Sequence, residues 1–116
     1  MKKLGVLLLG SLFMILLGVS VSHAHPPKDV NLTWNSDGNL IVHVVHAVND
    51  PQKHYINKVI VYVNDKVALQ RDYTMQQNGE GLTDTFVLGA LPPGTNIKVE
   101  AYCIIMGVGT NSIVVP

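Results

Sequence analysis

The residues of this chain able to do chemistry are few and widely spaced: His25, His46, His54, Cys103 and Met106. Cys103 is the only cysteine of the 116 residues, and it closes an apolar stretch with Ala101 and Tyr102 before it. A lone thiolate with scattered imidazoles is a donor set for iron, copper or zinc, and a poor one for magnesium or calcium. Met106, three residues beyond Cys103, offers a soft thioether where a further histidine would complete a simpler set.

Each of these residues also has a plainer reading. His46 continues an apolar face to a strand end, where an imbalance of loop backbone groups would equally occupy it. His43 lies on the opposite face, between Ile41 and Val45, and is expected to be structural. His54 follows the loop after His46 and comes within reach of it if that loop folds back. Cys103 falls on the inward face with Ile97, Val99 and Ala101, and an inert buried thiol is common. Met106 is either a soft ligand or apolar filler. Among other chemistries, there is no nucleophile–base–orienter set, no glycine-rich phosphate loop and no paired carboxylates.

Short strands must bring these side chains together. The turn Asn35-Ser36-Asp37-Gly38-Asn39 joins strands expected at 31–34 and 40–46. In the second, Leu40, Val42, Val44 and His46 share one face, because side chains alternate along a strand. Further strands are expected at 55–63, 67–73, 82–88, 97–105 and 111–115. Asn64-Asp65-Lys66 and Leu91-Pro92-Pro93-Gly94 supply turns between them. No helical period competes beyond the first 24 residues. Seven strands with mostly hairpin-length connections predict an all-β, immunoglobulin-like antiparallel β-sandwich.

The first 24 residues read as a signal peptide. Lys2 and Lys3 precede an uncharged apolar run at 4–21, and Ser22-His23-Ala24 places small residues at −3 and −1 of a cleavage site. The run is also long enough to span a bilayer, so an uncleaved N-terminal anchor is the alternative. No cysteine follows the run closely, which argues against lipid attachment. The expected destination is the periplasm or the exterior, with 25–116 as one domain. Cleavage would make His25 the mature N-terminus, whose α-amine and imidazole together can chelate Cu(II); the plainer outcome is a frayed end. Without Lys2 and Lys3, six basic residues face eight acidic ones, and nothing recruits nucleic acid or an anionic membrane. Disulfides are common in small exported domains, yet Cys103 has no partner within the chain.

The pattern His25-Pro26-Pro27, then His46-Ala47-Val48-Asn49-Asp50-Pro51-Gln52-Lys53-His54-Tyr55-Ile56, then Ala101-Tyr102-Cys103-Ile104-Ile105-Met106-Gly107 resembles the iron-binding domain of superoxide reductases, neelaredoxin and desulfoferrodoxin included. The likeness extends over nearly all of 25–116 and includes the strand Val59-Ile60-Val61-Tyr62-Val63. The resemblance implies an immunoglobulin-like sandwich and a mononuclear iron, held by four equatorial imidazoles and an axial thiolate. It implies reduction of superoxide to hydrogen peroxide. Carried over, His25, His46 and His54 would be equatorial ligands and Cys103 the axial one. With no rubredoxin-like Cys-x-x-Cys domain present, electrons would come from a separate donor protein.

The chain departs from that pattern at several points. Met106 stands in place of the fourth histidine, Ile104 in place of an asparagine, and Ala47 in place of a proline. The lysine preceding the family's first histidine is absent, and the loop from His46 to His54 is longer than usual. Three functions follow as expectations: an exported superoxide-reductase-like iron protein, altered or inactive through Met106; a non-catalytic copper site of soft donors; or a metal-free binding sandwich.

Overall fold

The computed structural model describes residues 25–116; the expected signal peptide at 1–24 lies outside the described residues. Seven strands form in chain order: β1 Asp29–Asn35, β2 Asn39–Val45, β3 Ile56–Val63, β4 Lys66–Asp72, β5 Gly81–Val87, β6 Asn96–Cys103 and β7 Val108–Val114. They make two antiparallel sheets, β1-β2-β5 and β4-β3-β6-β7. This is the sandwich that the alternating pattern predicts. Among the described residues there is no helix.

The core comes from the inward face of each sheet. Leu40, Val42 and Val44 of β2, with Leu82 and Phe86 of β5, meet Val59 and Val61 of β3 and Ile97, Val99 and Ala101 of β6; all are buried. Apolar area removed from water at about 25 cal/mol per Å² is the main force joining the sheets. At the β3–β4 hairpin, Asn64 and Asp65 have φ of 50° and 67°. Two left-handed residues make a tight turn whose twist matches the strands, and Asn and Asp tolerate that conformation.

Three details of the fold set the position of the candidate ligands. First, β2 ends at Val45, and His46 continues its inward face while its N–H bonds to Glu80 O at 2.9 Å. Second, β6 stops at Cys103, two residues before the expected end. Cys103 N–H bonds to Gly107 O (3.0 Å) and Ile104 N–H to Tyr55 O (3.0 Å), carrying the pairings with β7 and β3 one step further before the chain bends at 104–106. Third, the β3–β6 register shifts between Ile56 and Lys58: Ile56 lies opposite Cys103, and Lys58 opposite Tyr102. Asn57 is thus an extra residue, and Ile56 is buried together with Val59 instead of alternating out of phase with it. Such bulges re-aim the chain, here just after His54.

The segment ahead of β1 is held against the turn after β6. Gly107 has φ +94°, and a Cβ there would lie 2.6 Å from Pro26 Cβ and 2.9 Å from Pro26 Cα. Only glycine allows that approach. Asn111 of β7 donates from Nδ2 to Val30 O at 2.7 Å, tying the start of β1 to the other sheet.

Candidate metal centre

At one end of the sandwich, donors from both sheets converge. His46 extends β2, Cys103 ends β6, and His54 precedes β3 by two residues. One ligand atom from each lies within 4.8 Å of the other two. His54 Nε2 and Cys103 Sγ are 3.2 Å apart. The ring centroids of His46 and His54 are 4.8 Å apart. His25 joins the group: its ring lies 5.5 Å from that of His46 and 5.4 Å from that of His54. Pro26, wedged on Gly107, keeps it there.

The loop from 46 to 54 does fold back. Lys53 and His54 N–H groups both bond to Asp50 O, at 3.1 and 2.9 Å, and Gln52 N–H to Asp50 Oδ1 at 3.0 Å. That compact turn returns the chain to the β2 end and presents His54 to His46.

His46 is fully buried, and its surroundings fix which nitrogen is free. Gln76, also fully buried, donates from Nε2 to His46 O and Asn78 O, each at 3.1 Å. Its Oε1 is therefore the acceptor side, taking Ile56 N–H at 3.0 Å and His46 Nδ1–H at 2.7 Å. In a neutral imidazole with Nδ1 protonated, the lone pair sits on Nε2. That buried Nε2 has no hydrogen-bond partner. An unsatisfied buried polar atom costs about 1–3 kcal/mol, and native structures rarely retain one without a reason.

The electrostatics favour an uncharged His54 ring. Burial lowers the His54 pKa below its ordinary value, and the neighbouring His46 and His25 deepen the depression by charge repulsion. Neutral imidazole is the form that ligates a metal. The donors therefore fit a borderline or soft transition ion: two or three imidazole nitrogens and one sulfur, with a lone pair waiting on His46. No carboxylate belongs to this group.

The remaining sequence candidates fall as follows. Met106 sits on the turn at 104–107 and is 51% exposed, flanked by exposed Ile104 and Ile105. His43 is exposed on the opposite face of β2, where its Nδ1 lies 2.6 Å from Thr83 Oγ1, the structural place expected for it. Cys103 is a free thiol and 7% exposed. Gln76 is the residue that sequence reasoning missed. It stands in a polar, glycine-containing stretch, where a glutamine carries no signal of burial.

The described residues thus form a two-sheet β-sandwich with imidazole and thiol donors gathered at one end. No family model and no curated relative matches the sequence. Solved structures do match the fold. A superoxide reductase (1Fe-SOR) from Giardia intestinalis has a TM-score of 0.59 and 14% identity, over 78% of this chain and 100% of that one. A superoxide reductase (neelaredoxin) from Ignicoccus hospitalis has a TM-score of 0.52 and 17% identity, over 78% of this chain and 79% of that one. The structural neighbours of this chain are thus superoxide reductases, and it shares their fold.

Proposed function

We propose that this protein is an exported, iron-binding, superoxide-reductase-like protein. The observation that carries the reading is the meeting of His46, His54 and Cys103 at one end of this particular fold, with a buried, unpartnered nitrogen on His46. In the proposed site His25, His46 and His54 supply imidazoles and Cys103 the thiolate. Iron held by these residues would supply the one electron with which superoxide, taking up two protons, becomes hydrogen peroxide. The chain's own contribution is to orient the donors, to favour the neutral form of His54 and to keep the Cys103 sulfur mostly buried. The electron would come from a separate donor protein. Ala24 cleavage would release the protein to the periplasm or exterior with His25 at its terminus.

Met106 motivates a second reading. It occupies the place of the family's fourth histidine, and a thioether beside a thiolate and imidazoles suits copper in a site without catalysis. One experiment separates the two. The protein is secreted with its native N-terminus, its processing site is read by mass spectrometry, and metal content and visible spectrum are measured beside a Cys103→Ala variant. About one iron per chain is expected, with an oxidised-state absorption band absent from the variant. Copper bound through Cys103 would favour the second reading, and no metal after reconstitution would overturn both.

A further inference from the structure

We infer that Gln76 is the positioning residue of this site: it selects the nitrogen that His46 presents, and ties together the two chain segments that bear His46 and His54. The inference rests on the proposed metal site. Four side-chain hydrogen bonds and one backbone bond converge on this residue. Its Oε1 holds His46 Nδ1–H and the Ile56 N–H, and its Nε2 holds His46 O and Asn78 O. Its own N–H bonds to Pro51 O at 2.9 Å. Gln76 therefore grips the end of β2, the middle of the 46–54 loop and the first residue of β3.

The chemistry follows from what an amide can offer. A flipped amide would set Oε1 against the His46 and Asn78 carbonyls and the NH2 against the Ile56 N–H, so the orientation is fixed by backbone groups alone. The oxygen toward His46 thus admits only one neutral tautomer, with the proton on Nδ1 and the lone pair on Nε2. Groups of this kind behind a metal-ligating histidine fix its ring and raise its basicity, and their loss typically weakens metal binding about 10–100-fold. A buried glutamine placed for packing alone would not require both of its ends to match the histidine and the loop that carries its neighbour.

The test begins with the tautomer of His46 in the metal-free protein, read by nitrogen-15 NMR of the ring. Protonated Nδ1 and unprotonated Nε2 are expected in the wild type. Protonated Nε2 would overturn the inference before any variant is made. Gln76→Met and Gln76→Glu are then compared for anaerobic Fe(II) affinity by chelator competition. Q76M, without an acceptor, is expected to mix the two tautomers and to bind Fe(II) about 10–100-fold more weakly. Q76E keeps the acceptor for His46 and is expected to keep the Nδ1–H tautomer and bind Fe(II) more tightly than Q76M. Wild-type affinity in Q76M, or the same tautomer mixture in both variants, would overturn the positioning role while leaving the iron site standing. A wild type that binds no Fe(II) would instead overturn the proposed function, so the two failures are told apart.

Discussion

Two glycines with nearly the same backbone angle separate strain from contact in the way His25 is held. Gly107 has φ +94° and Gly94 has φ +88°. An added Cβ at Gly94 meets nothing within 4 Å, whereas at Gly107 it meets Pro26 Cβ at 2.6 Å, Cα at 2.9 Å and N at 3.1 Å. Gly94→Ala therefore incurs only the left-handed penalty, about 1–2 kcal/mol. Gly107→Ala incurs the same penalty and must also move Pro26 by roughly 1 Å, since carbon atoms rest about 3.5–4.0 Å apart. Overpacking of that kind costs about 1–3 kcal/mol where the neighbour cannot yield. Pro26 can yield, but only by carrying His25 away from His46 and His54. Urea melts of the metal-free proteins should thus show Gly94→Ala down by about 1–2 kcal/mol and Gly107→Ala down by at least as much. Fe(II) competition should show weaker binding in Gly107→Ala alone. Equal affinities in the two variants would refute the claim that the Pro26–Gly107 contact holds His25 at the site.

Two further outcomes follow from the structure. Burial pushes the Asp84 carboxyl up, but hydrogen bonds from Tyr73 Oη (2.7 Å) and Arg71 Nη1 (2.8 Å) outweigh it and leave its pKa below the ordinary carboxylate value. The folded protein then holds fewer protons at Asp84 than the unfolded chain does, so the stabilisation is complete above about pH 4 and is lost as pH falls through the folded pKa. Arg71→Met should reduce that acid dependence while lowering neutral stability by about 1 kcal/mol or less, since the pair is part-exposed; pH-dependent melts of the two proteins check this, and unchanged acid slopes would refute it. On the outer face, His43→Gln should leave Fe(II) affinity unchanged, because His43 pairs with Thr83 on the surface away from the cluster; a loss of affinity would break the assignment of ligands to one end of the sandwich.

The strands were legible in the sequence because their signals are local. Alternation placed Leu40, Val42 and Val44 inward, and the same count extended to His46 reached the site. Alternation along β6 likewise set Cys103 inward. The end of β6 was less legible: Ile104 and Ile105 read as more strand, whereas the chain bends at 104–106 and Gly107, at φ +94°, returns it into β7. The bulge at Asn57 left no mark, since a polar residue within a β-branched run looks the same with or without a register shift. Gln76 was illegible for a related reason. Its importance lies in partners 20 and 30 residues away, Ile56 and His46, and no local pattern encodes them.

The departures from the superoxide reductase pattern and the geometry of the end of the sandwich bear on each other. If the chain had kept the fold and abandoned the metal, the imidazole of His46 would have little to hold it in place. A buried nitrogen without a partner costs about 1–3 kcal/mol, and replacement by an apolar residue of similar shape would remove that cost. Instead His46 is fully buried, held through Nδ1 by a fully buried amide and left without a partner at Nε2, in a ring that lies beside His54. The expense falls on one atom, and it is the atom a metal would use. Real proteins break local rules of satisfaction chiefly at functional sites. By contrast, two of the substitutions that set this chain apart, Ile104 and Met106, lie on an exposed turn. Changes on that exposed turn leave intact the buried residues His46, Gln76 and Cys103. The buried residues His46 and Cys103 thus keep the donor atoms together whatever side chains the exposed turn carries.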